Sequence, residues 1–250
     1  MGPGRPRRVE HPVGLRVTDV ALRAARRRLG RSRAEFIAGV VMIGSLAVAA
    51  GGVIALAREL PVWRGRQSVT HAARLIDDGD YASAIRILLG AVAATPSDAR
   101  AHYYLGLAYA RLGVETGAIN QLTDAVRLAP SDARAHDALG QTLRAVGDPW
   151  AARREFEEAA RLAPGEARYH VDLAGLLLDQ GEPAAAVARL RHAVRLAPRS
   201  AEIHLLLAAA LRRAGDANGM AREYTEARRL APSGPLGELA RQALNGRSVR

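Results

Sequence analysis

The sequence repeats every 34 residues between about residue 65 and residue 234, and this period constrains the fold more than any other feature. Prolines mark the period at Pro96, Pro130, Pro164, Pro198 and Pro232. Glycines keep the same step at Gly79, Gly113, Gly147, Gly181 and Gly215. Alanines form two further series, Ala84, Ala118, Ala152 and Ala186, and Ala91, Ala125, Ala159, Ala193 and Ala227. A fixed period of this length predicts a solenoid, which stacks copies of one small unit.

Each unit is predicted to contain two antiparallel helices of about 12–15 residues. In the second copy, residues 99–132, apolar residues from Tyr103 to Leu112 recur at helical spacing, and Gly113 then breaks the helix. A second apolar pattern follows and ends at Pro130, because proline cannot continue a helix. One helix pair cannot bury its own apolar face, so stacking of neighbouring pairs must supply the core.

This pattern resembles the tetratricopeptide repeat, which has the same period. The second copy carries the family pattern at Leu105, Gly106, Tyr109, Ala118, Leu122, Ala125 and Pro130. The third carries it at Leu139, Gly140, Ala152, Phe156, Ala159 and Pro164, and the other three copies replace the Leu-Gly pair. The resemblance implies an all-α fold, a right-handed α-solenoid of five tetratricopeptide helix pairs and a capping helix. The predicted repeats are residues 65–98, 99–132, 133–166, 167–200 and 201–234, and the cap and tail are residues 235–250.

Two different segments precede the repeats. Residues 1–33 hold ten arginines against two acidic residues, and we predict a basic, largely disordered cytoplasmic arm. Residues 36–57 contain no charged residue, and as a helix they would span about 33 Å, enough for a bilayer core of about 30 Å. We therefore predict a transmembrane helix at residues 34–57 and a linker at residues 58–64. The arginine excess before the apolar segment predicts a signal anchor in a single-pass membrane protein, with the N-terminus cytoplasmic and the repeat domain extracytoplasmic.

The N-terminal segments leave alternatives open. The sequence Ala55-Leu56-Ala57 resembles a signal-peptide cleavage site, although the preceding segments are long for a signal peptide. A buried helix of a water-soluble domain is the other alternative. The basic arm could bind anionic lipid headgroups or nucleic acid, and its position before an apolar segment favours lipid. In the alternative view of function, the arm is the functional element and the repeats serve for self-association.

The sequence contains no sign of catalysis or of a cofactor. It has no cysteine, which excludes disulfides and thiolate metal ligands, and it has no phosphate-binding loop, dinucleotide fingerprint or nucleophile elbow. Histidines recur at the 34-residue step at His102, His136, His170 and His204. They occupy the position where the family pattern has tryptophan, so we predict that they pack between helices rather than bind a metal. We expect no enzymatic activity and no cofactor.

In proteins that this chain resembles, the first helix of each repeat lines a concave groove that binds a segment of a partner protein. That resemblance gives the candidate groove residues Arg66, Arg100, Arg134, Arg168, Tyr103, Asp137, Arg111, Arg144, Leu178 and Arg212. Arginines beside apolar positions favour an acidic, partly apolar segment. Alternatively, the arginines pair locally, because Asp98, Asp132 and Glu166 each lie two residues before one of them. We expect a membrane-anchored interaction scaffold or assembly factor, similar in architecture to those of the bacterial cell envelope.

Overall fold

The structure, a computed structural model, describes residues 67–246, which contain only helices and the turns between them. This confirms the all-α prediction for that part of the chain. The helices are α1 (residues 67–77), α2 (Tyr81–Ala94), α3 (Ala99–Arg111), α4 (Glu115–Leu128), α5 (Ala133–Ala145), α6 (Pro149–Leu162), α7 (Ala167–Asp179), α8 (Pro183–Leu196), α9 (Ala201–Arg213), α10 (Ala217–Leu230) and α11 (Pro235–Leu244). We call α1, α3, α5, α7 and α9 the first helices, and α2, α4, α6, α8 and α10 the second helices.

The glycine series forms the turn inside each pair. Gly147, for example, has φ +83°, and the four glycines at the same step have φ between +73° and +83°. Left-handed backbone of this kind ends a helix and favours glycine because a Cβ would clash. After three of these glycines the next helix begins with an aspartate cap, as where the Asp148 carboxylate accepts a hydrogen bond from the amide of Ala151 at 3.0 Å. Val114 and Glu182, at the same position, make no capping hydrogen bond. The glycine spacing therefore sets the helix boundaries, and aspartate supports three of them.

Small residues let the two helices of a pair approach closely. A Cβ added at Gly140 of α5 would lie 2.8 Å from Cδ1 of Phe156 in α6, and one added at Gly106 would lie 2.6 Å from Cγ of Leu122. Phe156 is fully buried in the largest apolar cluster, which joins side chains of the third, fourth and fifth pairs. The core thus lies between neighbouring pairs, as stacking requires, and α11 packs against α10 and α9 after the fifth pair.

The structure corrects the predicted localisation, a single-pass membrane protein with extracytoplasmic repeats. Within residues 67–246, no helix is both long enough and apolar enough to cross a membrane. Helices α2 to α11 have 10–14 residues, which is about 15–21 Å against a bilayer core of about 30 Å. The predicted transmembrane helix at residues 34–57, the arm and the linker lie outside the described residues. The membrane localisation is therefore withdrawn, together with the membrane and lipid partners that it implied.

Candidate protein-binding face

The predicted groove residues that the structure describes lie on α3, α5, α7 and α9, and α5 contacts both α3 and α7 directly. The second residue of one repeat contacts the fifth residue of the repeat before it. Cζ of Arg134 lies 5.6 Å from the ring centroid of Tyr103, and Nη2 of Arg168 donates to Oδ2 of Asp137 at 2.5 Å. The structure therefore brings these four predicted residues together. We call the surface formed by these positions, and by those described next, the first-helix face.

A second set of contacts joins the C-terminal ends of the first helices. Nε of Arg144 donates to Oδ2 of Asp179 at 2.7 Å, and Nη1 of Arg213 donates to the carbonyl oxygen of Leu178 at 3.2 Å. A Cβ added at Gly175 would lie 3.2 Å from Nη1 of Arg144, so the missing side chain leaves room for the guanidinium to cross α7. Both contacts join residues 35 apart, one residue more than the repeat period.

Asp137 is a carboxylate with 0% exposure on this face. Its Oδ2 accepts hydrogen bonds from Arg168 and, at 3.1 Å, from Nε2 of Gln141, which also donates to Asp172 at 3.4 Å. Its Oδ1 is buried and accepts no hydrogen bond from the described residues. Burial, with the nearby negative charge of Asp172, raises the pKa of Asp137 to about 6. The Arg168 side chain is 54% exposed, so water screens its charge and it offsets only part of this effect.

Local pairing of arginine with the preceding carboxylate occurs at one of the three predicted sites. Nη2 of Arg134 lies 2.7 Å from Oδ2 of Asp132, and this hydrogen-bonded guanidinium lowers the pKa of Asp132. Arg168 instead pairs with the preceding repeat, as described above. At the first site, Asp98 accepts hydrogen bonds from the backbone amides of Arg100 and Ala101 and so caps α3. Asp98 and Asp132 therefore both cap the start of a helix, and only Asp132 also pairs with an arginine side chain.

Three predicted groove arginines have no internal partner. Arg100, Arg111 and Arg212 are exposed, and their side chains form no hydrogen bond or ion pair with the residues that the structure describes. Leu178 packs against the apolar core and is only partly exposed. Arg66 lies outside the described residues. Gln141 and Asp172 were not predicted from the sequence, although the sequence places this polar pair 31 residues apart on adjacent first helices.

The histidine series lies inside the helix pairs, as predicted for a packing position. Each of these rings is 5–7% exposed, and its Nε2 donates to the carbonyl oxygen of the proline six residues earlier at 3.0–3.2 Å. In these four repeats, the histidine therefore hydrogen-bonds the first helix to the turn that precedes it. Among residues 67–246, no three histidine, aspartate or glutamate side chains are grouped closely enough to hold a metal ion.

Comparisons with known proteins agree with this architecture. Two models of the tetratricopeptide repeat family match the chain, over residues 69–133 and residues 143–210. MamA 41-end from Desulfovibrio magneticus RS-1 is 22% identical, with a TM-score of 0.60 over 67% of this chain and 94% of that one. PilF of Pseudomonas aeruginosa is 18% identical, with a TM-score of 0.65 over 75% and 87%. YrrB, described as a TPR protein with an unusual peptide-binding site, is 16% identical, with a TM-score of 0.58 over 70% and 90%. At these identities the likeness establishes the fold alone, and no curated protein sequence matches the chain.

Proposed function

We propose that this chain, which belongs to the tetratricopeptide repeat family, is a non-catalytic protein–protein interaction scaffold whose first-helix face binds an acidic, partly apolar segment of a partner. The peptide-binding site ascribed to YrrB supports this class of ligand. The choice of an acidic segment depends on the charges of this chain alone.

The observation that carries the proposal is the imbalance of unpaired charge on the first-helix face. The acidic residues Asp137 and Asp179 accept hydrogen bonds from Arg168 and Arg144. By contrast, Arg100, Arg111 and Arg212 are exposed and have no ion pair in the described part of the chain. They outnumber the exposed acidic residues without an ion pair at the same repeat positions, Asp77 and Glu202. A positive surface without internal partners attracts acidic segments and accelerates their association.

Tyrosines supply the apolar part of the proposed site. The ring of Tyr103 packs edge to face against Tyr104, with centroids 5.0 Å apart, and the Arg134 guanidinium covers it from the next repeat. Rigid aromatic side chains lose little conformational entropy on binding and often dominate the energy of an interface. We therefore expect an apolar residue of the partner to contact Tyr103, with acidic residues on either side.

Charge reversal at two unpaired arginines tests the proposal. Peptides selected by the full chain from a random display library should be rich in Asp and Glu. Their affinity should fall about tenfold or more in the Arg100→Glu, Arg111→Glu variant, measured by fluorescence anisotropy at low salt, because attraction becomes repulsion without the loss of an internal ion pair.

The matched control is the Arg154→Glu, Arg222→Glu variant, which makes the same change of charge at exposed second-helix arginines without partners in the described residues. It should keep the affinity of the unmodified chain. Selected peptides without acidic residues, or equal weakening by the two double variants, would contradict the proposal.

A further inference from the structure

One member of the histidine series lacks the partner that the others have. In three repeats, Nδ1 of the histidine lies 2.6–2.9 Å from a side-chain oxygen 19 residues later, as in the pairs His102 with Gln121, His136 with Glu155 and His204 with Glu223. In the fourth repeat, the residue 19 positions after His170 is Arg189, which cannot accept a hydrogen bond. Nδ1 of His170 is buried and has no hydrogen-bond partner in the described part of the chain.

The tautomer of His170 follows from its other nitrogen. Nε2 lies 3.2 Å from the carbonyl oxygen of Pro164, which can only accept, so Nε2 carries the proton and Nδ1 presents a lone pair. Burial lowers the pKa of His170, and the charges of His192 and Arg189 act in the same direction. A buried nitrogen without a partner costs about 1–3 kcal/mol, and such a group in a folded protein calls for an explanation.

His170 borders a cleft of about 890 Å³ between α6 and α8. The cleft has three arginines, Arg161, Arg189 and Arg195, together with His192 and one acidic residue, Glu157. Its remaining lining residues are small and apolar, namely Ala160, Pro164, Ala185 and Ala188. A cleft with basic side chains around an apolar surface is complementary to an anion that carries an organic group.

The side chains around the cleft leave one arginine uncommitted. Arg161 is bonded to Glu158, and Nη2 of Arg195 donates to Nδ1 of His192 at 2.9 Å. Glu157 is bonded to Arg153, which lies outside the cleft lining. Arg189 is exposed, and its side chain makes no hydrogen bond or ion pair with any described residue. The cleft is therefore lined by an unpaired guanidinium and by a buried imidazole whose Nδ1 has no partner among the described residues. The ring of His192 packs against that imidazole with centroids 4.3 Å apart, and Nδ1 is closed to solvent, so a ligand reaches it through a movement of the side chains around it.

We propose that this cleft binds a phosphate monoester, whose oxygens accept hydrogen bonds from Arg189 and whose remaining proton is shared with Nδ1 of His170. A phosphate monoester has a second pKa of about 6, so near neutral pH it can offer both an O–H donor and anionic oxygens. A sulfate ester or a carboxylate at that pH offers acceptors only. The organic part of the ester packs on the alanines of the cleft. The site lies away from the first-helix face and does not depend on the proposed function.

Binding takes up a proton. Near neutral pH the free ester is mostly a dianion, and burial lowers the pKa of His170 and so favours its neutral form. The complex therefore holds a proton that neither component carried. Arg189, His192 and Arg195 of α8, together with Arg161 and Glu157 of α6, are the other charged or titratable groups that line the cleft. Affinity should therefore rise as the pH falls from about 8 to about 6.

Isothermal titration calorimetry of the full chain with phenyl phosphate tests the proposal. We expect binding at a single site, with proton uptake measured from buffers of different ionisation enthalpy. Arg189→Gln should weaken binding about tenfold or more, since it removes a charge-assisted hydrogen bond and introduces the residue type that partners His102 at the equivalent position, Gln121. Arg189→Glu should abolish it, because a glutamate there restores the carboxylate that His136 and His204 already have as a partner. The control Arg191→Gln, at an exposed arginine of α8 outside the cleft, should bind as the unmodified chain does.

Further titrations identify the source of the phosphate and the results that would overturn the proposal. Phenyl phosphate binding more tightly than inorganic phosphate supports an organic ester, and equal binding supports free phosphate in the same site. Phenyl sulfate binding as tightly as phenyl phosphate would refute the shared proton. Unchanged affinity in Arg189→Glu, equal losses in the Arg189→Gln and Arg191→Gln variants, or no heat with any phosphate would refute the site.

Discussion

The buried carboxylate on the first-helix face should make the stability of the repeats depend on pH. Asp137 has a pKa of about 6 in the folded chain, compared with an ordinary value of 3.8. Between these values the folded state holds a proton that the unfolded state has lost, so the free energy of unfolding falls as the pH rises through this window. The difference of about two pH units corresponds to about 3 kcal/mol, since each unit is worth about 1.4 kcal/mol.

The variant Asp137→Asn isolates this contribution. Asparagine cannot ionise, yet its amide oxygen can accept the hydrogen bonds from Gln141 and Arg168 that Oδ2 accepts now. We expect Asp137→Asn to match the unmodified chain at about pH 4 and to exceed its stability by up to about 3 kcal/mol at about pH 7. Burial outweighs the ion pair here because the arginine partner is largely hydrated while the carboxylate is not.

Urea unfolding followed by circular dichroism, at several pH values from about 4 to about 7, measures this difference. The variant Asp172→Asn provides a second test of the same reasoning. It removes the neighbouring negative charge that raises the pKa of Asp137, so the fall in stability should end at a lower pH and be smaller in total. A stability difference between Asp137→Asn and the unmodified chain that does not change with pH would refute the reasoning. An unmodified chain that gains on the variant as pH rises would show that the Arg168 ion pair dominates.

Two further predictions concern packing and capping. Gly140→Ala should destabilise the chain by about 1–3 kcal/mol, because the added Cβ would lie 2.8 Å from Phe156, and Phe156→Leu should reduce that loss in a double-mutant cycle of thermal unfolding. The control Gly90→Ala, where nothing lies within 4 Å of the new Cβ, should instead stabilise by about 0.5–1 kcal/mol, and equal effects at the two glycines would contradict the packing argument. Asp132→Ala should cost about 1 kcal/mol by removing the cap of α5, whereas Glu166→Ala should cost less because Glu166 makes no capping hydrogen bond; equal losses in urea titrations would refute this.

The sequence predicted the helices of this fold well because the repeat period constrains backbone geometry directly. Gly113 and Gly147 mark positions where the backbone is left-handed, and the histidines fall between helices as their place in the repeat indicates. The same regularity reveals the exception at Arg189, which interrupts a series of Gln121, Glu155 and Glu223. That signal was present in the sequence and depends only on aligning the repeats.

Charge pairing on the first-helix face could not be predicted in the same way. The sequence suggested that Arg168 pairs with Glu166, two residues away, but the structure pairs it with Asp137, 31 residues away. A long arginine side chain reaches several carboxylates, and the choice among them depends on the distance between stacked repeats, which the period does not give. The burial of Asp137 could not be predicted from the period either. The equivalent positions in two other repeats hold Tyr103 and Val171, so the repeat pattern gives no sign of a buried carboxylate there.

Contact between neighbouring first helices sets the length of the partner segment that the proposed binding face would need. Helices in contact lie on the order of 10 Å apart, so the three steps from α3 to α9 cover about 30 Å. An extended chain advances about 3.3 Å per residue and would cross this distance in about 9 residues, whereas a helix would need about 20. A partner segment shorter than this would leave some of Arg100, Arg111 and Arg212 uncontacted. If the proposed function holds, trimming a bound peptide from either end should therefore reduce affinity in steps that match the repeats.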